Sequence, residues 1–141
     1  MKSSLKTLSR IQKVAIDEQR KLLVEQLEIE EKLNNAIKQL EQELENEKKF
    51  SAENPEVGDF GAYFKRYQKM RQQLDDALAQ TEKRIEELRD IISDMFKTQK
   101  TYDIVDERRI QRLQKEEADK EQKMLDEIGT NNYITTHKGK S

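Results

Sequence analysis

Residues 53–59 read Glu-Asn-Pro-Glu-Val-Gly-Asp and hold the only proline of the 141-residue chain, with one of its four glycines. Pro55 has no N–H to give a helix, and its ring drives Asn54 away from helical backbone angles. Asp59 can accept hydrogen bonds from the free N–H groups that open a following helix. The stretch therefore predicts a turn, with one long element ending before it and another starting after it.

Composition says what those elements are. Only 33% of the residues are hydrophobic and 40% are charged. An ordinary globular domain is nearer half apolar and a quarter charged, with more glycine and proline. A chain of this length is about one domain long, yet it lacks the apolar side chains for a deep core and the turn residues to fold back often. Disorder or long amphipathic helices remain, and periodicity chooses between them.

Downstream of the turn the beat is seven residues. Phe64, Leu78, Ile85 and Ile92 take position a, and Tyr67, Leu74, Leu88, Met95 and Tyr102 take position d. Of the twelve a and d positions from 64 to 102 nine are apolar, with Arg71, Thr81 and Gln99 as the exceptions. That regularity predicts a coiled-coil seam. Upstream, Ile11, Leu22, Leu33 and Leu44 recur every 11 residues, with Leu8, Ala15, Ile29, Ile37 and Leu40 beside them. An 11-residue repeat favours a straight or slightly right-handed path, so weak twisting is expected away from the turn. Charge pairs four apart, such as Asp17/Lys21 and Glu45/Lys49, suit exposed helix faces.

The expected fold is all-α: a long antiparallel two-helix coiled-coil hairpin over residues 1–129, with helices 3–51 and 60–128 joined by the turn 53–59. At 1.5 Å per residue the arms are about 74 and 103 Å long. Residues 109–128 of the second helix then overhang the first. Gly129, followed by Thr-Asn-Asn, reads as a helix stop, which leaves 130–141 as a flexible tail.

Many functions fall away on residue types. There is no cysteine, so disulfides and thiolate metal sites are excluded, and the single histidine, His137, sits in the polar tail. Catalysis needs groups held in a dry pocket, which a two-helix rod does not enclose. Glycine-rich phosphate loops and metal-ligand spacings are absent, so no enzyme, cofactor or metal is expected. No apolar run approaches the roughly 18 residues that span a membrane, and MKSSLKTLSRIQKVAIDEQR has no signal-peptide core. A cytosolic protein is expected. Net charge is −2, distributed as +3 over residues 1–20 and −5 over 21–58. Neither block is the dense basic patch that nucleic acid requires; a basic end suits an acidic partner surface, or is simply a solvated face.

Two regions read as binding surfaces. Near the turn cluster Phe50, Phe60, Tyr63, Phe64 and Tyr67, five of the eight aromatics. Phe60, Phe64 and Tyr67 hold seam positions and read as core. Tyr63 and Met70 stand at position g, and Ala77, Ile91 and Val105 continue that row, interrupted by Arg84. The row either broadens the buried face or forms a groove for a partner. At the far end, Ile110, Leu113, Met124, Leu125 and Ile128 cannot all be covered by the shorter first helix, and an uncovered amphipathic stretch either takes a partner or frays.

The opening LKTLSRIQKVAIDEQR and the stretch ERRIQRLQKEEADKEQKMLDEIG at residues 107–129 resemble the two ends of the flagellar FliJ family. The related YscO stalk proteins of type III secretion are similar in architecture and match these end motifs less well. The resemblance implies a non-enzymatic stalk of the flagellar export apparatus, similar to the central-stalk gamma subunit of rotary ATPases. It implies one end in the pore of a FliI-like export ATPase hexamer and another region on an FlhA-like export gate, with escort of export chaperones besides. Carried onto this chain, the pore end comprises Leu5, Leu8, Arg10, Ile11 and Lys13 with Met124, Leu125 and Ile128. The gate-facing region comprises Tyr63, Tyr67, Met70 and Leu74 opposite Glu41, Leu44 and Lys48. The implied location is the cytoplasm, peripheral to the inner face of the membrane at the flagellar base, as a monomer when isolated. The competing reading is a structural coiled coil whose helices pair between chains; a prefoldin-like holdase lacks its assembling β-strands.

Overall fold

The computed structural model describes the backbone of residues 2–138 and the side chains of residues 4–135. Two α-helices account for almost all of it: α1, Lys2–Glu53, and α2, Phe60–Lys138. They pack against each other as the hairpin that the sequence predicts, and no strand occurs among the described residues.

The turn is built by the residues that announced it. Asn54 closes α1, its backbone N–H and its side-chain amide both donating to the Phe50 carbonyl at 2.9 and 3.1 Å. Val57 N–H donates to the Asn54 carbonyl at 3.1 Å, which places Pro55 where its fixed φ suits a tight turn. Gly58 then takes φ +85°, open to glycine and strained for any side chain. Asp59 caps α2: its Oδ1 accepts from Ala62 N–H and its carbonyl from Tyr63 N–H, each at 3.2 Å.

The expected stop at Gly129 is not observed. α2 passes through Gly129 and the following Thr-Asn-Asn and runs to Lys138, so residues 130–138 are helix rather than loose tail; residues 139–141 lie outside the described residues. A glycine ends a helix by turning left-handed, and among the described residues only Gly58 has positive φ. Gly129 keeps helical geometry, where it costs about 1 kcal/mol against alanine without breaking the hydrogen-bond ladder.

Two compact units are distinguished, one spanning Lys13–Phe96 and the other combining Met1–Gln12 with Lys97–Ser141. In the first, Ile16, Ile37, Leu40 and Leu44 of α1 are buried together with Thr81, Ile85, Leu88 and Ile92 of α2. Every a and d position from Phe64 to Met95 is buried or half-buried, as the seven-residue beat requires. Thr81, buried without a cross-helix partner, satisfies its hydroxyl by donating to the Ala77 carbonyl at 2.9 Å.

The 11-residue beat of α1 is overturned. From Ile16 onward its seam runs through Ile16, Gln19, Leu23, Gln26, Glu30, Leu33, Ile37, Leu40, Leu44, Glu47 and Ser51, in alternating steps of three and four residues, with Ala15, Leu27 and Ala36 half-buried beside it. Leu22 is 39% exposed, and Ile29 stands beside the seam at 42%. The reason is mechanical. Two helices stay in contact along their length only if both keep one period, and the stricter apolar heptads of α2 impose theirs. Glutamines enter the seam of α1, and leucine and isoleucine are displaced to its flank.

In the second unit the paired part is largely polar, with Leu5, Tyr102 and Ile110 half-buried in it. Ser9, buried, donates through Oγ to Asp103 Oδ1 at 2.8 Å. Half-buried Asp106 and Arg109 pair at 2.6 Å, and the Arg109 Nε is buried without a partner. Ile11, expected to lead the buried row, is 58% exposed. From Gln111 to Thr135 every side chain of α2 is exposed. The overhang expected from residue 109 thus starts two residues later, with Arg109 and Ile110 half-buried.

Candidate functional site

An antiparallel pair has two flanks, one lined by the e positions of both helices and the other by the g positions. In the Lys13–Phe96 unit these flanks differ in chemistry. The e flank is closed by contacts across the pair. Arg71 reaches from the seam to Glu41 at 2.5 Å while holding Asp75 at 3.1 Å, and these two carboxylates hold its guanidinium above its ordinary range. Arg20 lies over the ring of Phe96, 4.8 Å from its centre.

The g flank is apolar. Leu22, Ile29, Ala36 and Phe50 stand there on α1, and Tyr63, Met70, Ala77 and Ile91 on α2; Glu43 and Arg84 are the charged members. Because Ala36 is small, a cleft of about 340 Å³ opens between the helices, walled by Ala36, Leu40, Met70 and Leu74 and edged by Gln39, Glu43 and Gln73. Met70 is 52% exposed at its edge. The Tyr63 phenol is held above its ordinary range, first by lost solvation and then by the carboxylates of Glu43 and Glu47.

The residues assigned to the gate-facing region therefore separate into three groups. Tyr67, Leu74 and Leu44 belong to the seam, with Leu44 buried. Tyr63 and Met70 line the apolar flank. Glu41 and Lys48 stand at e positions on the other flank, Glu41 engaged by Arg71 and Lys48 by Glu45 at 3.5 Å. Phe60, Tyr63, Phe64 and Tyr67 form a ladder of stacked rings with centroids 5.9–6.3 Å apart, so the aromatic cluster reinforces the first turns of α2 as well as filling its seam.

Of the residues assigned to the pore end, Leu8, Arg10 and Ile11 are exposed on α1, Leu5 is half-buried, and Met124, Leu125 and Ile128 are exposed on α2. They do not form one patch. Ser9 is level with Asp103, whereas Met124 lies about 32 Å further along the helix at 1.5 Å per residue. Lys13, also exposed, is the first residue of the other unit. Ile110, Leu113, Met124 and Ile128 fall within about 60° of one another around α2, an apolar stripe that is half-buried at Ile110 and exposed from Leu113 onward. Tyr133 and Ile134 extend the exposed apolar surface; the expected end at Gly129 had hidden them.

Among the described residues no group of His, Asp or Glu is arranged to hold a metal ion, and no helix is long and apolar enough to cross a membrane. In comparisons with known proteins, the family described as Flagellar FliJ protein matches residues 1–138. No curated protein matches the chain. No solved structure matches it either.

Proposed function

Since the chain belongs to the flagellar FliJ protein family, non-catalytic components of flagellar protein export, we propose that it acts as a stalk coupling a FliI-like export ATPase hexamer to an FlhA-like export gate. The observation that carries this reading is the bare helix of α2. From Gln111 to Asn132 every side chain is exposed, yet the stretch bears Leu113, Met124, Leu125 and Ile128. A single helix with an apolar stripe loses the burial that normally stabilises it, and the lumen of a ring of subunits would supply that burial from all sides. The basic start of α1, with Lys6, Arg10 and Lys13, would add attraction to carboxylates lining the same lumen, weakening as salt rises.

The gate would contact the apolar flank, with Tyr63 and Met70 beside the cleft. Glu41 and Lys48 face the other way and take no part. Two continuous helices can pass displacement or torque without a pocket or a cofactor, which suits a coupling element. Escort of export chaperones, and residence in the cytoplasm against the inner face of the membrane, belong to the same proposal.

The test is ATPase stimulation. Reversing Arg10 and Lys13 to Glu should reduce both hexamer formation and stimulation of the ATPase at low salt; full retention of both by the double variant would remove the ring-facing assignment. For the gate, Tyr63→Ala with Met70→Ala should lower capture of the gate's cytoplasmic domain at unchanged helicity. Equal capture would remove that half.

A further inference from the structure

The apolar flank of the Lys13–Phe96 unit carries a pattern that its neighbours in the fold do not explain. Counting outward from the Glu41–Arg71 pair, the g residues of the two helices come level in couples, each within about one residue. Ala36 is level with Ala77. One heptad towards the turn stand Glu43 and Met70, and one heptad away from it Ile29 and Arg84. A further heptad out on either side are Phe50 with Tyr63 and Leu22 with Ile91. About the alanine level the pattern reads the same in both directions: large apolar couple, couple with one charge, small couple, couple with one charge, large apolar couple. The two charges have opposite sign.

We infer that this flank is a self-association surface, on which a second copy of the chain docks antiparallel about a two-fold axis at the Ala36–Ala77 level. The axis brings Arg84 of each copy to the level of Glu43 of the other, and it does so twice. Placed parallel, the same surfaces leave these opposite charges about 21 Å apart along the helices and bring each level with its own like-charged copy. Opposite charge therefore selects the antiparallel arrangement, and like-sign neighbours penalise the alternatives. Small side chains at the axis and large ones at the ends are what two layers of helices crossing at a slight angle need, since they approach most closely at the crossing point.

The extent is sufficient. From Leu22 to Phe50 the flank runs about 42 Å, and two helices side by side are roughly 20 Å wide. That footprint is about 800 Å² per copy, the size of a standard specific interface. Arg84 pairs with the exposed Glu87 at 3.5 Å, and Glu43 accepts from the exposed Gln39 at 3.4 Å; exposed contacts of this kind yield readily. The surface overlaps the one proposed for the gate, so a dimer would be closed to the gate. The self-association itself does not rest on that proposal.

Sedimentation equilibrium of the full chain, from micromolar to submillimolar protein, tests it. The wild type should pass from the 16.8 kDa single-chain mass to twice that mass. Arg84→Glu and Glu43→Arg should each weaken the dimer at least about tenfold, and the combined Glu43→Arg/Arg84→Glu chain should recover it, with helicity equal in all four. A single-chain mass at every concentration would overturn the inference, including the case in which the variants alter gate capture alone. So would single variants that dimerise like the wild type, or a double variant that stays apart.

Discussion

Arg71 and Glu41, 30 residues apart in sequence, meet across the helix pair at 2.5 Å, although Arg71 occupies a position where the heptad pattern calls for an apolar side chain. A cation in a seam fixes which residues face one another, because sliding either helix by a turn leaves it without its carboxylate. The cost is lost apolar packing. Arg71→Leu should therefore raise the thermal midpoint followed by circular dichroism, whereas Glu41→Ala should lower it slightly. A clear drop on Arg71→Leu would mean that the ion pair stabilises the hairpin outright rather than setting its register.

The seam of α1 offers a sharper contrast. Ile16 is 2% exposed, while Ile29 is 42% exposed on the flank, and both are isoleucines of the same helix. Ile16→Ala should cost about 2–4 kcal/mol in urea unfolding, the range for emptying a buried site. Ile29→Ala should cost under about 1 kcal/mol, as surface changes do. Equal costs would restore the 11-residue face on which Ile29 borders the buried row.

These two isoleucines also show how far the sequence could be read. The turn was legible because Pro55, Gly58 and Asp59 act locally, each through its own backbone geometry or cap. The seam of α2 was legible because nine of its twelve inner positions from 64 to 102 are apolar. The seam of α1 was not, because Gln19, Gln26, Glu30 and Glu47 are held there by the period of the opposite helix, a non-local constraint. Leu22 and Ile29 then look like core by type alone. The same shift hid half of the apolar flank: its α2 row, with Tyr63 and Met70, was readable, but its α1 row emerged only once α1 was placed in register.

At Gly129 a local signal was outvoted. If the helix passes through it as observed, alanine there should stabilise the segment by about 1 kcal/mol, and amide exchange over residues 124–135 should slow. If Gly129 instead adopted the left-handed cap, alanine would be strained and exchange in the same segment would quicken. The sign of the change decides between them.

The paired part of the terminal unit should open most easily. Its covered residues are Leu5, Ser9 and Gln12 on α1 against Gln99, Tyr102, Asp106, Arg109 and Ile110 on α2; the apolar ones, Leu5, Tyr102 and Ile110, are only half-buried, so less apolar surface leaves water there than in the seam of the other unit. An ion pair such as Asp106–Arg109, local to one helix and half-buried, adds little to the pairing of two helices. Hydrogen bonding by Ser9 to Asp103 contributes on the order of 1 kcal/mol, against roughly 1.5–3 kcal/mol for burying one leucine or isoleucine side chain. Residues 5–12 should therefore exchange their amides well before residues 33–44, whose seam holds Ile37, Leu40 and Leu44. Ser9→Leu, which exchanges the hydroxyl for apolar area, should narrow that gap provided Asp103 can turn to solvent. Uniform protection along α1 in the wild type would mean that something other than seam polarity holds the terminal pair together.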